Sequence, residues 1–328
     1  AQIVNGTGIS HMNMAFAVLP GIWNMAAGLL PYTSQNYHVS TYEYSKNVGD
    51  IYTNYEGLGG INKVYWGNSV SIVKGLSLGF NLSYMFGSLE DLTSSVVSAD
   101  NYSSSLTVNN KKIVSDFCLD YGLQYSYYFG TDFGFTVGAT LTPKTDLKFR
   151  KSLFAVQDRS VSGVAMQPDT IVNSSDDMSN IHMPDQYGVG LALAFKEKLI
   201  LTGDYKLAKW GETNNAELKN SLSDAKTISL GLEVLPNYRS INYWKRVHYR
   251  IGFQTSDTYW TINGVNVKDE SVSFGLGFPF RRNFSAIDAH FVVGRRGTTD
   301  SGLLKETYVR AGVSISLHDI WFIKRKFD

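Results

Sequence analysis

The sequence predicts an all-β chain, a transmembrane antiparallel up-and-down β-barrel of about fourteen strands. Three observations carry that expectation. Large apolar residues occupy every second position through most of the chain, which is the strand period. The alternating runs reach about ten residues, longer than the usual soluble strand but right for a tilted membrane-spanning one. The opposite parity is rich in Gly and Ser and carries sparse charges of both signs. A water-facing sheet would display Lys, Glu and Arg freely there, whereas small residues with balanced charges suit a confined lumen.

Composition excludes the main competitors. Of 328 residues, 43% are hydrophobic, 13% aromatic and only 18% charged, the reverse of a disordered chain. Thirty Lys+Arg against 29 Asp+Glu leave no basic excess for nucleic acid. The single cysteine, Cys118, excludes a disulfide scaffold and a Cys-based zinc site. No apolar run of about 18 residues is present, which excludes a helical membrane protein but not a barrel.

The elements follow in order. A first strand covers about 9–19. The clearest one sets Leu76, Leu78, Phe80, Leu82, Tyr84 and Phe86 against Ser77, Gly79, Asn81, Ser83 and Met85. Next, Phe117, Leu119, Tyr121, Leu123, Tyr125, Tyr127 and Phe129 oppose Asp116, Cys118, Asp120, Gly122 and Gln124. Gly130-Thr131-Asp132 turns this strand into Phe133, Phe135, Val137, Ala139 and Leu141, a hairpin. The pattern returns at 187–195, 199–207, 228–234, 247–254, 271–280, 287–293 and 309–317.

Connection lengths orient the chain. Short connections at 19–22, 68–74, 129–132, 196–198 and 280–283 read as periplasmic turns. Long ones at 89–109 and 150–183 read as outer loops, with medium outer loops near 211–225, 257–268 and 295–303. The stretch 236–245 is a longer inner connection. Residues 1–318 are thus expected to form the barrel and 319–328 a periplasmic tail. About thirteen strands are visible against an even number in most such barrels, so an N-terminal segment is expected to be missing from the chain.

With those residues in place, the sequence resembles the outer-membrane long-chain fatty-acid transporter (FadL-like) barrels, in particular their divergent Bacteroidota branch. The resembling pieces are Gly28-Leu29-Leu30-Pro31-Tyr32, the strand 76–84, Met183-Pro184-Asp185-Gln186-Tyr187-Gly188, Gly203-Asp204-Tyr205 with Trp210, Tyr249-Arg250-Ile251-Gly252-Phe253, Gly275-Leu276-Gly277-Phe278-Pro279 and Ile320-Trp321-Phe322. Each is weak alone; their order and spacing carry the resemblance over most of the chain. It implies fourteen strands, an N-terminal hatch and a hydrophobic groove between two large outer loops. The loops 89–109 and 150–183 fall at those two positions, while the hatch motif is not in this chain. The last strand also resembles an assembly signal, through Arg310, Gly312, Ile315 and Leu317.

Two groups of residues are candidates for a site. The lumen parity carries Asp116, Asp120, Asp204, Glu233 and Asp288 against Lys206, Arg250 and Arg310, with His248 and His290 beside them. A polar pathway would use such residues, but a structural network pairing across strands is favoured, because unpaired confined charges are costly. The 150–183 stretch holds Leu153, Phe154, Val156, Val161 and Met166, too apolar for an ordinary water-facing loop. They are candidates for a ligand groove, a partner contact or a cap over the barrel. The six histidines have no metal-ligand spacing and no nucleophile elbow appears, so neither enzyme, metal nor cofactor is expected.

The resemblance implies passive uptake of small hydrophobic molecules across the Gram-negative outer membrane, with membrane lipid and hydrophobic ligands or detergent as partners. The alternative is a non-transporting accessory barrel in a larger outer-membrane protein assembly or secretion complex, with other outer-membrane proteins as partners.

Overall fold

The structure is a computed structural model that describes residues 6–99, 102–196, 198–213, 222–262, 264–280, 285–299 and 303–319. The expected periplasmic tail lies outside the described residues from 320 onward. In chain order the strands are β1 (Met12–Leu19), β2 (Trp23–Ser34), β3 (Tyr37–Ser45), β4 (Gly49–Val73), β5 (Leu76–Ala99), β6 (Tyr102–Phe129), β7 (Phe133–Thr142), β8 (Thr145–Val161) and β9 (Val164–Ala165). There follow β10 (Asp169–Met183), β11 (Gln186–Phe195), β12 (Leu199–Ala208), β13 (Ala225–Val234), β14 (His248–Ile262), β15 (Val265–Pro279), β16 (Ala286–Arg296) and β17 (Glu306–Ser316). The helices among the described residues are two single turns, Trp210–Glu212 and Tyr243–Lys245.

The described residues therefore hold seventeen strand segments where about fourteen strands were expected. The excess has a local cause. Breaks of two or three residues divide single passes of the chain: β2 from β3, β7 from β8 at Pro143-Lys144, β9 from β10, and β10 from β11 at Pro184-Asp185. Three of the four breaks hold a proline, Pro143, Pro168 or Pro184, which lacks the N–H that a ladder needs. Rejoined across these breaks, the segments make thirteen passes.

The stretches 89–109 and 150–183 are largely extended. β5 runs on to Ala99 and β6 begins at Tyr102, while β8 and β10 pair from Asp169↔Gln157 to Met183↔Thr145. Their tip is the two-residue turn Ser162-Gly163, with φ of 51° and 79°, between Val161 and Val164, which pair. Positive φ at both central residues is the turn geometry that matches the twist of a hairpin.

The chain divides into two compact units. Unit 1 comprises residues 1–70, 79–120 and 145–183; unit 2 comprises 71–78, 121–144 and 184–328. In unit 1, β2 pairs with β1 and β4, β3 with β4, and β8 with β6 and β10, all antiparallel. In unit 2, the lower half of β6 pairs with β7, β7 with β11, and each strand from β11 to β17 with the next, all antiparallel. The short turns of unit 2 are hydrogen-bonded to their neighbours: Ser126 N of β6 donates to Gly75 O, Lys196 N to Asp132 O and Leu235 N to Lys198 O. They form one zipped rim.

The predicted parity holds on the outward faces. Phe80, Tyr121, Leu123, Val137, Leu191, Phe253, Phe274 and Phe291 are 41–51% exposed, in continuous rows along their strands. Rows of that extent exceed what a monomer in water tolerates, and they require an apolar solvent or partner. No helix among the described residues is long and apolar enough to cross a membrane, which says nothing of a crossing made by strands.

Candidate functional site

On the inner face of unit 1 the polar parity is interrupted by apolar residues. Ile61 of β4, Met85 of β5, Val114 and Cys118 of β6, and Leu147 and Phe149 of β8 form one cluster, 1–9% exposed. Leu89, Ile181 and Met183 pack against it. Four neighbouring strands thus turn apolar side chains to the same side. Each fully buried one contributes roughly 1.5–3 kcal/mol.

Beside this cluster lie two of the expected acids. Asp120 Oδ2 is 2.6 Å from Lys63 Nζ, with the two side chains 19% and 14% exposed. Asp116 accepts from the backbone N–H of Lys148 at 2.9 Å and from that of Phe117 at 2.8 Å, so it pins β8 to β6 at the start of their divergence. Lys63 was missed from the sequence. Its inward direction follows from sharing a parity with Ile61, but its partner is fixed only by strand order.

Unit 2 brings three more of the predicted residues together. Glu233 Oε2 receives Arg250 Nε at 2.6 Å, and Glu233 Oε1 lies 2.9 Å from His248 Nδ1. Arg250 Nη1 donates to Asp288. Glu233 and Arg250 are directly paired across β13 and β14, but Asp288 is on β16, two strands from Arg250. The guanidinium spans β15 because Gly275 and Gly277 stand between. A Cβ on Gly277 would sit 2.7 Å from Asp288 Oδ1 and 3.2 Å from Arg250 Nη1. The glycines read in the sequence as permitting close approach therefore seat the ion network flat on the wall.

The remaining predicted polar residues do not join that network. Asp204 and Lys206 flank a shallow cavity of about 270 Å³ with Thr136, Thr140 and Thr202, over the small residues Gly188 and Gly190. Arg310 stacks on the Tyr308 ring, 4.4 Å from its centroid. The ring of His290 lies over Gly312. A second buried pairing was missed: Asp269, 8% exposed, accepts from Tyr308 Oη at 2.7 Å and Arg296 Nε at 2.9 Å. The inward parity shared by these three residues was the available signal.

The groove candidates are spread over two faces. Leu153 shares a face with buried Ala155, whereas Phe154 and Val156 lie on the other. Phe154, Val161 and Met166 are 44–55% exposed. The structure does not gather the five into one pocket wall.

A family model described as BamG matches residues 2–328. Among curated proteins no sequence matches. Among solved structures, the fold is similar to the Pseudomonas putida toluene transporter TodX, at TM-score 0.58 and 15% identity, covering 92% of this chain and 81% of that one. The CymD monoaromatic hydrocarbon channel aligns at TM-score 0.54 and 14% identity, covering 94% and 82%. A Pseudomonas aeruginosa FadL homologue aligns at TM-score 0.53 and 10% identity, covering 87% and 69%. At these identities the likeness is one of fold alone, an all-β antiparallel fold of the FadL-like type.

Proposed function

The chain belongs to the BamG family, and from that premise we propose that it is a closed β-barrel of the Gram-negative outer membrane acting as a non-transporting accessory subunit of a larger outer-membrane protein assembly or secretion complex. The observation that carries this reading is the inner apolar cluster of unit 1. Ile61, Met85, Val114, Leu147 and Phe149, 1–7% exposed, pack against one another on the inner face of unit 1 and leave little apolar surface there for a ligand. The charges of unit 2 satisfy each other rather than marking a path. The family it belongs to also bears a different name from the hydrocarbon channels whose fold it shares.

A second reading is passive uptake of small hydrophobic molecules, supported by the same fold and by the apolar character of the inner cluster. In that reading the cluster is a binding surface from which a ligand displaces side chains, with Leu153, Phe154, Val156, Val161 and Met166 near the entrance.

The two separate in one preparation. The chain, affinity-tagged and extracted from native outer membranes in mild detergent, is analysed by mass spectrometry. Stoichiometric recovery of other outer-membrane proteins supports the accessory role. A solitary barrel that accelerates entry of a radiolabelled hydrocarbon into liposomes supports uptake and overturns it.

A further inference from the structure

The outward parity of β15, β16 and β17 changes character abruptly toward one rim. Val272, Val293 and Val309 pair across the three strands and are 37%, 39% and 61% exposed. One outward step further, Glu270, Arg295 and Thr307 pair across the same strands. Beyond them come Lys268 and Lys305, on the same parity. Two residues of strand advance about 6–7 Å, so the cations begin immediately above the apolar row.

These side chains border one cavity of about 410 Å³, lined by Lys268, Glu270, Arg295, Thr298, Thr299 and Lys305 among others. Arg295 Nη2 is 2.6 Å from Glu270 Oε2 and Lys268 Nζ is 3.8 Å from Asp257 Oδ1. Three cations thus face two carboxylates, and Lys268 and Arg295 are 67% and 61% exposed. The hydrogen bond from Gly297 N to Lys268 O, 2.8 Å, fixes the 297–299 backbone against β15 and brings the two threonines to the cations. On the inward side at the same level Asp269 accepts from both Arg296 and Tyr308, so the outward set is separate from them.

We propose that the Lys268–Arg295–Lys305 cavity is a binding site for the phosphate of an anionic lipid headgroup. The inference rests on the membrane-spanning reading, because only then does the valine row lie in hydrocarbon and the cations at headgroup depth. A lipid phosphate is preferred to a free anion because the cavity opens on the same face as the apolar row, where acyl chains would continue below the phosphate. Basic side chains at that depth attract anionic headgroups, and hydroxyls complete the coordination of the phosphate oxygens.

The test is native mass spectrometry of the full chain in a nonionic detergent, with phosphatidylglycerol, diacylglycerol of the same chains, or inorganic phosphate added. The wild type is expected to retain phosphatidylglycerol in preference to diacylglycerol, and K268Q/K305Q to lose that retention by roughly tenfold or more. Equal retention of the two lipids, or unchanged retention in the double variant, overturns the proposal. Occupancy by inorganic phosphate at the same concentration as the lipid overturns it in favour of a free-anion site. Flotation with neutral-lipid vesicles reads the spanning state separately. A chain that floats without headgroup preference refutes only the phosphate site, whereas one that does not float refutes the membrane reading itself.

Discussion

Arg250 reaches Asp288 across an intervening strand, over the Cα of Gly277. The same guanidinium holds Glu233 on its other side, 2.6 Å from Nε, so one cation bridges carboxylates from β13 and β16. Arginine suits this because its fork presents donors in two directions at once.

Replacing that cation leaves two carboxylates facing each other. Arg250→Gln is expected to lower stability by about 1–3 kcal/mol, less than for a fully buried pair because the side chain remains partly open. Adding Glu233→Gln and Asp288→Asn to it is expected to recover most of the loss. Thermal unfolding in detergent measures both.

A methyl group at Gly277 occupies the path of the guanidinium. Gly277→Ala is expected to destabilise by about 1–3 kcal/mol through overpacking. Gly122→Ala, where a Cβ meets nothing within 4 Å, is the matched control and is expected to leave the unfolding midpoint in place.

The inner cluster of unit 1 behaves as a core. Phe149→Ala is expected to cost about 3–5 kcal/mol, and Phe154→Ala, at a 44% exposed position, much less. Cys118, buried in that cluster, supplies a second readout. Its labelling by a maleimide is expected to be slow in the wild type and at least about tenfold faster in Phe149→Ala, since exposure controls thiol access. Equal labelling rates would show that the cluster does not seal the inner face.

Lys63 and Asp120 are expected to be mutually dependent. Lys63→Met removes the ammonium 2.6 Å from a carboxylate that is 19% exposed and should cost about 1–3 kcal/mol. Lys63→Met with Asp120→Asn should cost less than the single change, a coupling that a double-mutant cycle in denaturant reads directly.

The strands and their two faces were legible because a period of two survives any register. Leu78, Phe80, Leu82 and Tyr84 needed no neighbour to be assigned outward. The stretches 89–109 and 150–183 were read as outer loops from their length between alternating segments, and a long hairpin without a single apolar parity has the same length. The inner cluster was not legible for another reason. Met85 and Val114 look like isolated exceptions within their own strands and Leu147 and Phe149 like a short exception within β8, and only strand order brings them into contact. Glu233, Arg250 and Asp288 were found by parity, but the Arg250–Asp288 bridge depended on the glycine that β15 places between them.

Gly75 accepts from β6, Asp132 from the Lys196 turn and Lys198 from Leu235 at the end of β13, so each of these short turns is tied to a neighbour and has little slack for added residues. At the Ser162-Gly163 tip the two turn residues close between the paired Val161 and Val164, and β8 beside them pairs with β6 as far as Val161. Insertions and deletions among relatives should therefore accumulate at the hairpin tips and be rare along the tied rim, which makes the Ser162-Gly163 tip the natural place for a grafted epitope.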